Sequence, residues 1–224
     1  MAATIYVINP NSTEAVTEGI RAAVGTLALP HGTEVDCLTL TEGPSAIETQ
    51  RDIDHVVAPL CRMVLGLEKK AAAFVIACFS DPGLYSLREL TRKPVLGIGE
   101  SGMLTAMTLG QRIGVISILP VSIPRHHRYF AAMGITSRIA ADQAVNLGVR
   151  ELADAALTRE RMLAVGQKLR DEHGADVLVM GCAGMARYRA LLEAELKVPV
   201  VEPTLAAIAM AIGQTMLGWR VRTW

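Results

Sequence analysis

Short runs of aliphatic and β-branched residues alternate along this chain with longer stretches in which apolar positions recur every three or four residues. The runs at Thr4–Ile8, Val35–Leu40, Ala72–Cys78, Val95–Ile98, Arg112–Ile118, Thr136–Ala140, Asp176–Cys182 and Val198–Val201 predict strands. Helical spacing covers Thr13–Leu27, Asp52–Lys69, Leu84–Leu90, Glu100–Leu109, Pro124–Met133, Arg159–His173, Arg187–Leu196 and Thr204–Leu217. Most strand runs are apolar throughout instead of alternating, as in strands covered on both faces. Strand and helix in alternation then predict an α/β fold on parallel sheets.

The pattern also repeats. "TIYVINPNS" opens the chain and "RIGVISILP" opens a second series, with Ile5 and Ile113 separated by 108 positions. "AAFVIACFSDPG" is matched by "ADVLVMGCAGMA", with Cys78 and Cys182 separated by 104. "KPVLGIGE" is matched by "VPVVEPTL" at a similar distance. Three landmarks at nearly equal spacing predict two similar lobes, each a parallel sheet flanked by helices, related by a pseudo-twofold. The first lobe is expected at residues 1–109, joined by a C-terminal helix at 204–224, and the second at 110–203. "TLGQRIG" (Thr108–Gly114) is the expected crossing.

Composition narrows the function classes. Of 224 residues, 51% are hydrophobic and 20% charged, which supplies a sizeable core and argues against disorder. Lys plus Arg balance Asp plus Glu at 22 each, leaving no basic footprint for nucleic acid or an anionic membrane. Aromatics at 4% supply no base-stacking surface. The expected partner is a small molecule or another copy of the chain. "MAATIYVINPNS" has no basic n-region and does not read as a signal peptide. The longest apolar stretches are about half of what a bilayer span requires. Cys37, Cys61, Cys78 and Cys182 do not make a disulfide framework in a chain of this length. A reduced, cytoplasmic protein is expected.

Candidate chemistry centres on two thiols. Cys78 and Cys182 each end the strongest apolar strand of their half, and a turn follows: Ser80-Asp81-Pro82-Gly83 and Ala183-Gly184. Ser80 or Asp81 is expected to cap a helix that begins at Pro82, placing Cys78 beside a helix N-terminus that favours its thiolate. An unperturbed thiol is only about 3% ionised at neutral pH. Two lobes related by a pseudo-twofold would face the two thiols across one cleft. One would remove a proton as thiolate while the other donates as thiol, which is what cofactor-independent proton exchange requires. A core cysteine is the bland alternative, and Cys37 and Cys61 are read that way.

Other motifs carry less. "GIGESG" (Gly97–Gly102) has the spacing of a dinucleotide fingerprint, but no acidic residue stands at the next strand end, "ISILP", and none follows until Asp142. Glycine used for tight packing is the simpler reading. "INPNST" offers Asn9, Asn11, Ser12 and Thr13 after the first strand, either to a polar substrate or as a helix cap. "LTEGPSAIE" follows the second strand and reads as a turn first and a pocket wall second. Arg125-His126-His127-Arg128 reads as a solvated or interface face, since adjacent helical residues diverge. No metal-binding or serine-hydrolase motif occurs, so no metal and no cofactor are expected.

"INPNS", "GPSAIE", "IACFSDPGL", "GIGE" and "GCAGM", in this order from Ile5 to Pro203, resemble the hydantoin racemases of the aspartate/glutamate racemase superfamily, and the allantoin racemases that share much of the set. The resemblance implies two α/β lobes, a homo-oligomer, and racemisation without a cofactor by a Cys78/Cys182 acid/base pair. It also implies backbone N–H groups after the cysteines, near Phe79–Ser80 and Ala183–Gly184, that bind a substrate oxygen. A 5-substituted hydantoin or related cyclic ureide comes as substrate from the resemblance alone, with Asn11, Ser80 and Ser117-Ile118 as further substrate contacts. The chain departs from the family pattern at Ser80, at Ala46, at Ser117-Ile118 and at "VEPTLAA" (Val201–Ala207), positions that change pocket walls and leave both thiols. A cis–trans isomerase using both thiols, a decarboxylase using one, and a two-lobed binding protein are the alternatives.

Overall fold

The structure, a computed structural model, describes residues 3–219 and holds two four-stranded parallel sheets. The last five positions of the expected C-terminal helix at 204–224 lie outside the described residues. The chain divides into two compact units: one runs through Ser101 and resumes at Thr204, and the other is Gly102–Pro203. In the first, β1 (Ala3–Asn9), β2 (Thr33–Thr39), β3 (Ala71–Ile76) and β4 (Val95–Gly97) lie in the order β2-β1-β3-β4. Between them run α1 (Glu14–Val24), α2 (Gln50–His55), α3 (Val57–Leu67) and α4 (Leu84–Leu90), with α5 (Ile98–Leu109) following β4. In the second, β5 (Ile113–Ser117), β6 (Ile139–Ala144), β7 (Val177–Met180) and β8 (Val200–Val201) take the matching order β6-β5-β7-β8. Their connections are α6 (Ile123–Ala132), α7 (Ala155–Asp171) and α8 (Arg189–Leu196), and α9 (Pro203–Met216) follows β8.

The sequence repeat is a repeat of individual hydrogen bonds. Ala77 N–H donates to the Ile8 carbonyl at 2.8 Å, and Gly181 N–H donates to the Ile116 carbonyl at 2.8 Å. Leu40 donates to Asn9 at 2.9 Å, as Val145 does to Ser117 at 2.8 Å. An arginine also ties a helix to the fourth strand in each unit: Arg88 Nε donates to the Val95 carbonyl and Arg189 Nε to that of Val200. The inner strands β1, β3, β5 and β7 are buried almost throughout, which accounts for their unbroken apolar sequence. The edge strands β2 and β6 are half-buried, so their sequences are mixed.

That mixture explains the largest error of the sequence pattern. The expected strand Thr136–Ala140 begins as a 3-10 turn at Thr136–Arg138, and the strand itself is Ile139–Ala144. Asp142 and Gln143 lie inside it, and a buried carboxylate breaks the apolar signature. The expected helix Asp52–Lys69 is two helices with Val56 between them. Thr49 and Asp52 form a capping box that starts α2. Pro59 has no N–H to offer the carbonyl four residues back and its ring crowds that turn, so a continuous helix cannot form. The expected helix Arg187–Leu196 likewise divides into a 3-10 stretch, Ala183–Tyr188, and α8.

Candidate active site

All the sequence-predicted site residues stand at the carboxyl ends of strands, the edge where open α/β sheets place their chemistry. Asn11, Cys78, Phe79 and Ser80 belong to the first sheet, and Ser117, Ile118, Cys182, Ala183 and Gly184 to the second.

After β3 the chain turns at the thiol. The Asp81 N–H donates to the Cys78 carbonyl at 2.9 Å, with Asp81 in the left-handed region at φ 46°. Cys78 is half-buried and Phe79 buried. The expected cap does not form. Helix α4 begins only at Leu84, behind a left-handed Gly83, with no side-chain cap from Ser80 or Asp81. The Asp81 carboxylate instead accepts the Gly99 and Glu100 N–H groups at 2.9 and 2.7 Å, at the start of α5. "GIGESG" makes this possible. A Cβ at Gly97 would lie 2.2 Å from the Asp81 carboxyl carbon, and one at Gly99 would lie 2.2 Å from the Phe79 carbonyl oxygen. The motif's glycines therefore make room for the thiol turn. Asp81 takes two helix-start N–H groups that a dinucleotide phosphate would need.

The loop after β1 is held by its own side chains. Asn11 is buried, and its Oδ1 accepts from Asn9 Nδ2 at 3.1 Å and from the Thr13 N–H at 2.9 Å. Helix α1 has Thr13 at its N-cap and no side-chain cap bond, so neither Asn11 nor Ser12 serves as the cap. Asn9 Nδ2 also reaches Thr17 Oγ1 of α1, and Thr17 meets Thr39 at the end of β2. The next loop packs backbone to backbone on this one. Ser12 N–H donates to the Pro44 carbonyl at 2.9 Å, and a Cβ on Gly43 would stand 2.2 Å from the Pro10 carbonyl oxygen.

The second thiol turn is similar but built from different residues. Cys182 is extended at φ −159°, half-buried, and its carbonyl accepts the Met185 N–H at 3.1 Å. Ala183 is buried, and a Cβ on Gly184 would lie 3.6 Å from Cys182 Sγ, so Gly184 borders the thiol. Met185 stands where the first turn has Asp81. Buried Glu202 stands where the first sheet has Gly97.

At the end of β5 lies a network the sequence did not disclose. Ser117 is fully buried, and its hydroxyl donates to Asp142 Oδ1. His126 Nδ1 lies 2.8 Å from Asp142 Oδ2 and 3.2 Å from Ser117 Oγ. Arg125 and His126 thus face inward, while His127 and Arg128 are exposed, so only half of the run expected as a solvated or interface face is at the surface. The Ser117 hydroxyl proton is committed to Asp142. Ile118 is buried beside it, and its carbonyl accepts from Leu147 N–H at 3.1 Å.

The other thiols belong to the interior and a helix face. Burial pushes the Cys37 thiol up to about 11, where it stays protonated at neutral pH. Burial raises the Cys61 thiol as well. Among the described residues no group of three His, Cys, Asp or Glu side chains is placed to hold a metal ion. No helix among them is long and apolar enough to cross a membrane.

Residues 5–211 match the family model described as "Asp/Glu/Hydantoin racemase". The chain belongs to this family. The Asp/Glu/hydantoin racemase assignment makes it a racemase, an isomerase. It is 34% identical to the hydantoin racemase of Paenarthrobacter aurescens over 219 residues, covering 96% of this chain and 92% of that one. Its structure is similar to that of allantoin racemase from Klebsiella pneumoniae, with TM-score 0.94 and 32% identity over 99% of this chain and 91% of that one. Arylmalonate decarboxylase, in a liganded variant form, shares the fold at TM-score 0.73 and 18% identity, covering 99% of this chain and 96% of that one.

Proposed function

We propose that this racemase inverts a carbon alpha to a carbonyl in a 5-substituted hydantoin or a related cyclic ureide such as allantoin, using Cys78 and Cys182 as a two-base pair. The observation that carries the reading is that each sheet ends its second inner strand, β3 or β7, in a half-buried cysteine followed by a turn. The named activities of the similar hydantoin and allantoin racemases support the substrate class.

In the proposed step one thiolate takes the alpha proton, and the C–H electron pair moves onto the carbonyl oxygen as an enolate. The other cysteine, as thiol, then returns a proton to the opposite face, and the enolate electrons re-form the carbonyl. No oxidant, metal or cofactor enters that balance. Backbone N–H groups near Phe79–Ser80 and Ala183–Gly184 are assigned to the developing oxyanion. Asn11 has its Oδ1 engaged within its own loop, so its amide N–H group is the part assigned to the substrate. Ser80 caps no helix, and its hydroxyl is assigned to the substrate too. Ser117 and Ile118 are assigned to the wall, where the Ser117 hydroxyl is held by Asp142. A homo-oligomer in the cytoplasm completes the proposal.

The test is incubation in D2O with single enantiomers of hydantoins, allantoin, aspartate and glutamate. The expected result is alpha-deuteration and loss of optical rotation for at least one cyclic ureide. Exchange confined to the acidic amino acids overturns the substrate class, and no exchange by any of them overturns the racemisation of these compounds.

A further inference from the structure

We propose that Asp81 is a positioning residue that fixes the Cys78 turn onto the start of α5 and so sets where the thiol stands. The role rests on the two-thiol reading above, but the geometry is independent of any substrate. Asp81 lies three residues after Cys78 and donates its N–H to the Cys78 carbonyl, which closes the turn. Its side chain is buried and its backbone is left-handed, a conformation that Asp and Asn adopt more readily than most residues. Its two carboxylate oxygens divide between the Gly99 and Glu100 N–H groups, charge-assisted bonds to a helix start.

The receiving side is shaped for it. Gly97 and Gly99 each stand where a methyl group would overlap the turn, against the Asp81 carboxylate in one case and the Phe79 carbonyl in the other. Three strand-end segments are thereby fitted to one another: the thiol turn, the end of β4 and the first turn of α5. A carboxylate serving only to cap α5 would not require a glycine against the carbonyl of Phe79, the residue next to Cys78. The second unit has Met185 in the corresponding place. The device is therefore specific to one thiol, which makes Cys182 an internal control.

Asp81→Ala removes both bonds. Asp81→Asn keeps the left-handed preference and one acceptor while turning an amide N–H group toward a backbone N–H. Gly99→Ala disturbs the same turn from the opposite side, its methyl group overlapping the Phe79 carbonyl oxygen and crowding Asp81 Oδ2 at 3.0 Å, while the Asp81 side chain itself is kept. Each variant is assayed for kcat and KM on whichever substrate exchanges. Site-resolved iodoacetamide labelling as a function of pH then follows Cys78 and Cys182 separately by mass spectrometry. Asp81→Ala and Gly99→Ala should lower kcat roughly a hundredfold, the scale of an ångström-sized misplacement, with KM within about threefold. Asp81→Asn should fall between them and the parent. Cys78 labelling should change by at least about fivefold while that of Cys182 stays at the parent rate.

Unchanged Cys78 labelling in Asp81→Ala and Gly99→Ala overturns the proposal. So does an equal change at both cysteines, which signals general loosening. If the parent turns over no substrate while the Cys78-selective change is present, the failure falls on the proposed function, and the positioning role stands.

Discussion

Removing the Asp142 carboxylate should destabilise the protein well beyond an ordinary surface change. Its side chain is 0% exposed and that of His126 is 4%. The carboxylate accepts both the Ser117 hydroxyl and His126 Nδ1. Asp142→Ala strands two donors in a dry interior, and an unsatisfied buried polar group costs about 1–3 kcal/mol. Ser117 Oγ and His126 Nδ1 are 3.2 Å apart and can still pair, which recovers one bond. The expected loss is therefore about 2–4 kcal/mol, a fall in melting temperature of roughly 5–15 °C for a chain of this size. Urea unfolding followed by far-UV circular dichroism measures it. A double-mutant cycle with His126→Ala should show coupling of at least about 1 kcal/mol. The first unit offers a neutral comparison in Thr17, which bonds Asn9 and Thr39. Thr17→Val should cost only about 1 kcal/mol. Asp142→Ala within about 0.5 kcal/mol of the parent, or strict additivity with His126→Ala, would refute the reasoning.

Two further outcomes follow from close contacts away from the thiols. Gly43→Ala drives a methyl group into the Pro10 carbonyl and should separate the loops after β1 and β2, costing about 1–3 kcal/mol and raising KM more than it lowers kcat; an unchanged KM contradicts this. Desolvation pushes the Asp176 carboxyl upward, but the N–H groups of Arg112 and Gln111 outweigh it and leave it below the usual carboxylate value. Its stabilisation is then present above about pH 4 and lost as pH falls through the lowered value, so the stability gap between parent and Asp176→Ala in urea should close in acid. A gap that widens in acid contradicts the sign.

The inner strands and both thiol turns were legible because burial on both faces leaves an unbroken apolar run, and β3 and β7 announce themselves that way. The repeat was legible too, since Ile5/Ile113 and Cys78/Cys182 mark equivalent places in two sheets of matching order. What escaped were contacts between segments distant in sequence. Asp81 looked like a local cap because Ser-Asp-Pro-Gly is a local signal, whereas its partners are Gly99 and Glu100. The same contact accounts for the glycines that imitate a dinucleotide motif. Asp142 escaped because a lone carboxylate among alanines reads as an exposed position until Ser117 and His126 are seen to face it. Glu202, directly after β8, is another carboxylate that is buried.

The central claim is that two thiols share one proton exchange, and it is tested most directly by single-turnover deuterium incorporation with Cys78→Ser and Cys182→Ser. Each enantiomer of a turned-over substrate is offered in D2O to each variant. The account predicts that racemisation is lost in both, and that any surviving alpha-deuteration is confined to one enantiomer in Cys78→Ser and to the opposite enantiomer in Cys182→Ser. Full racemisation in either variant, or the same enantiomer exchanging in both, would contradict it.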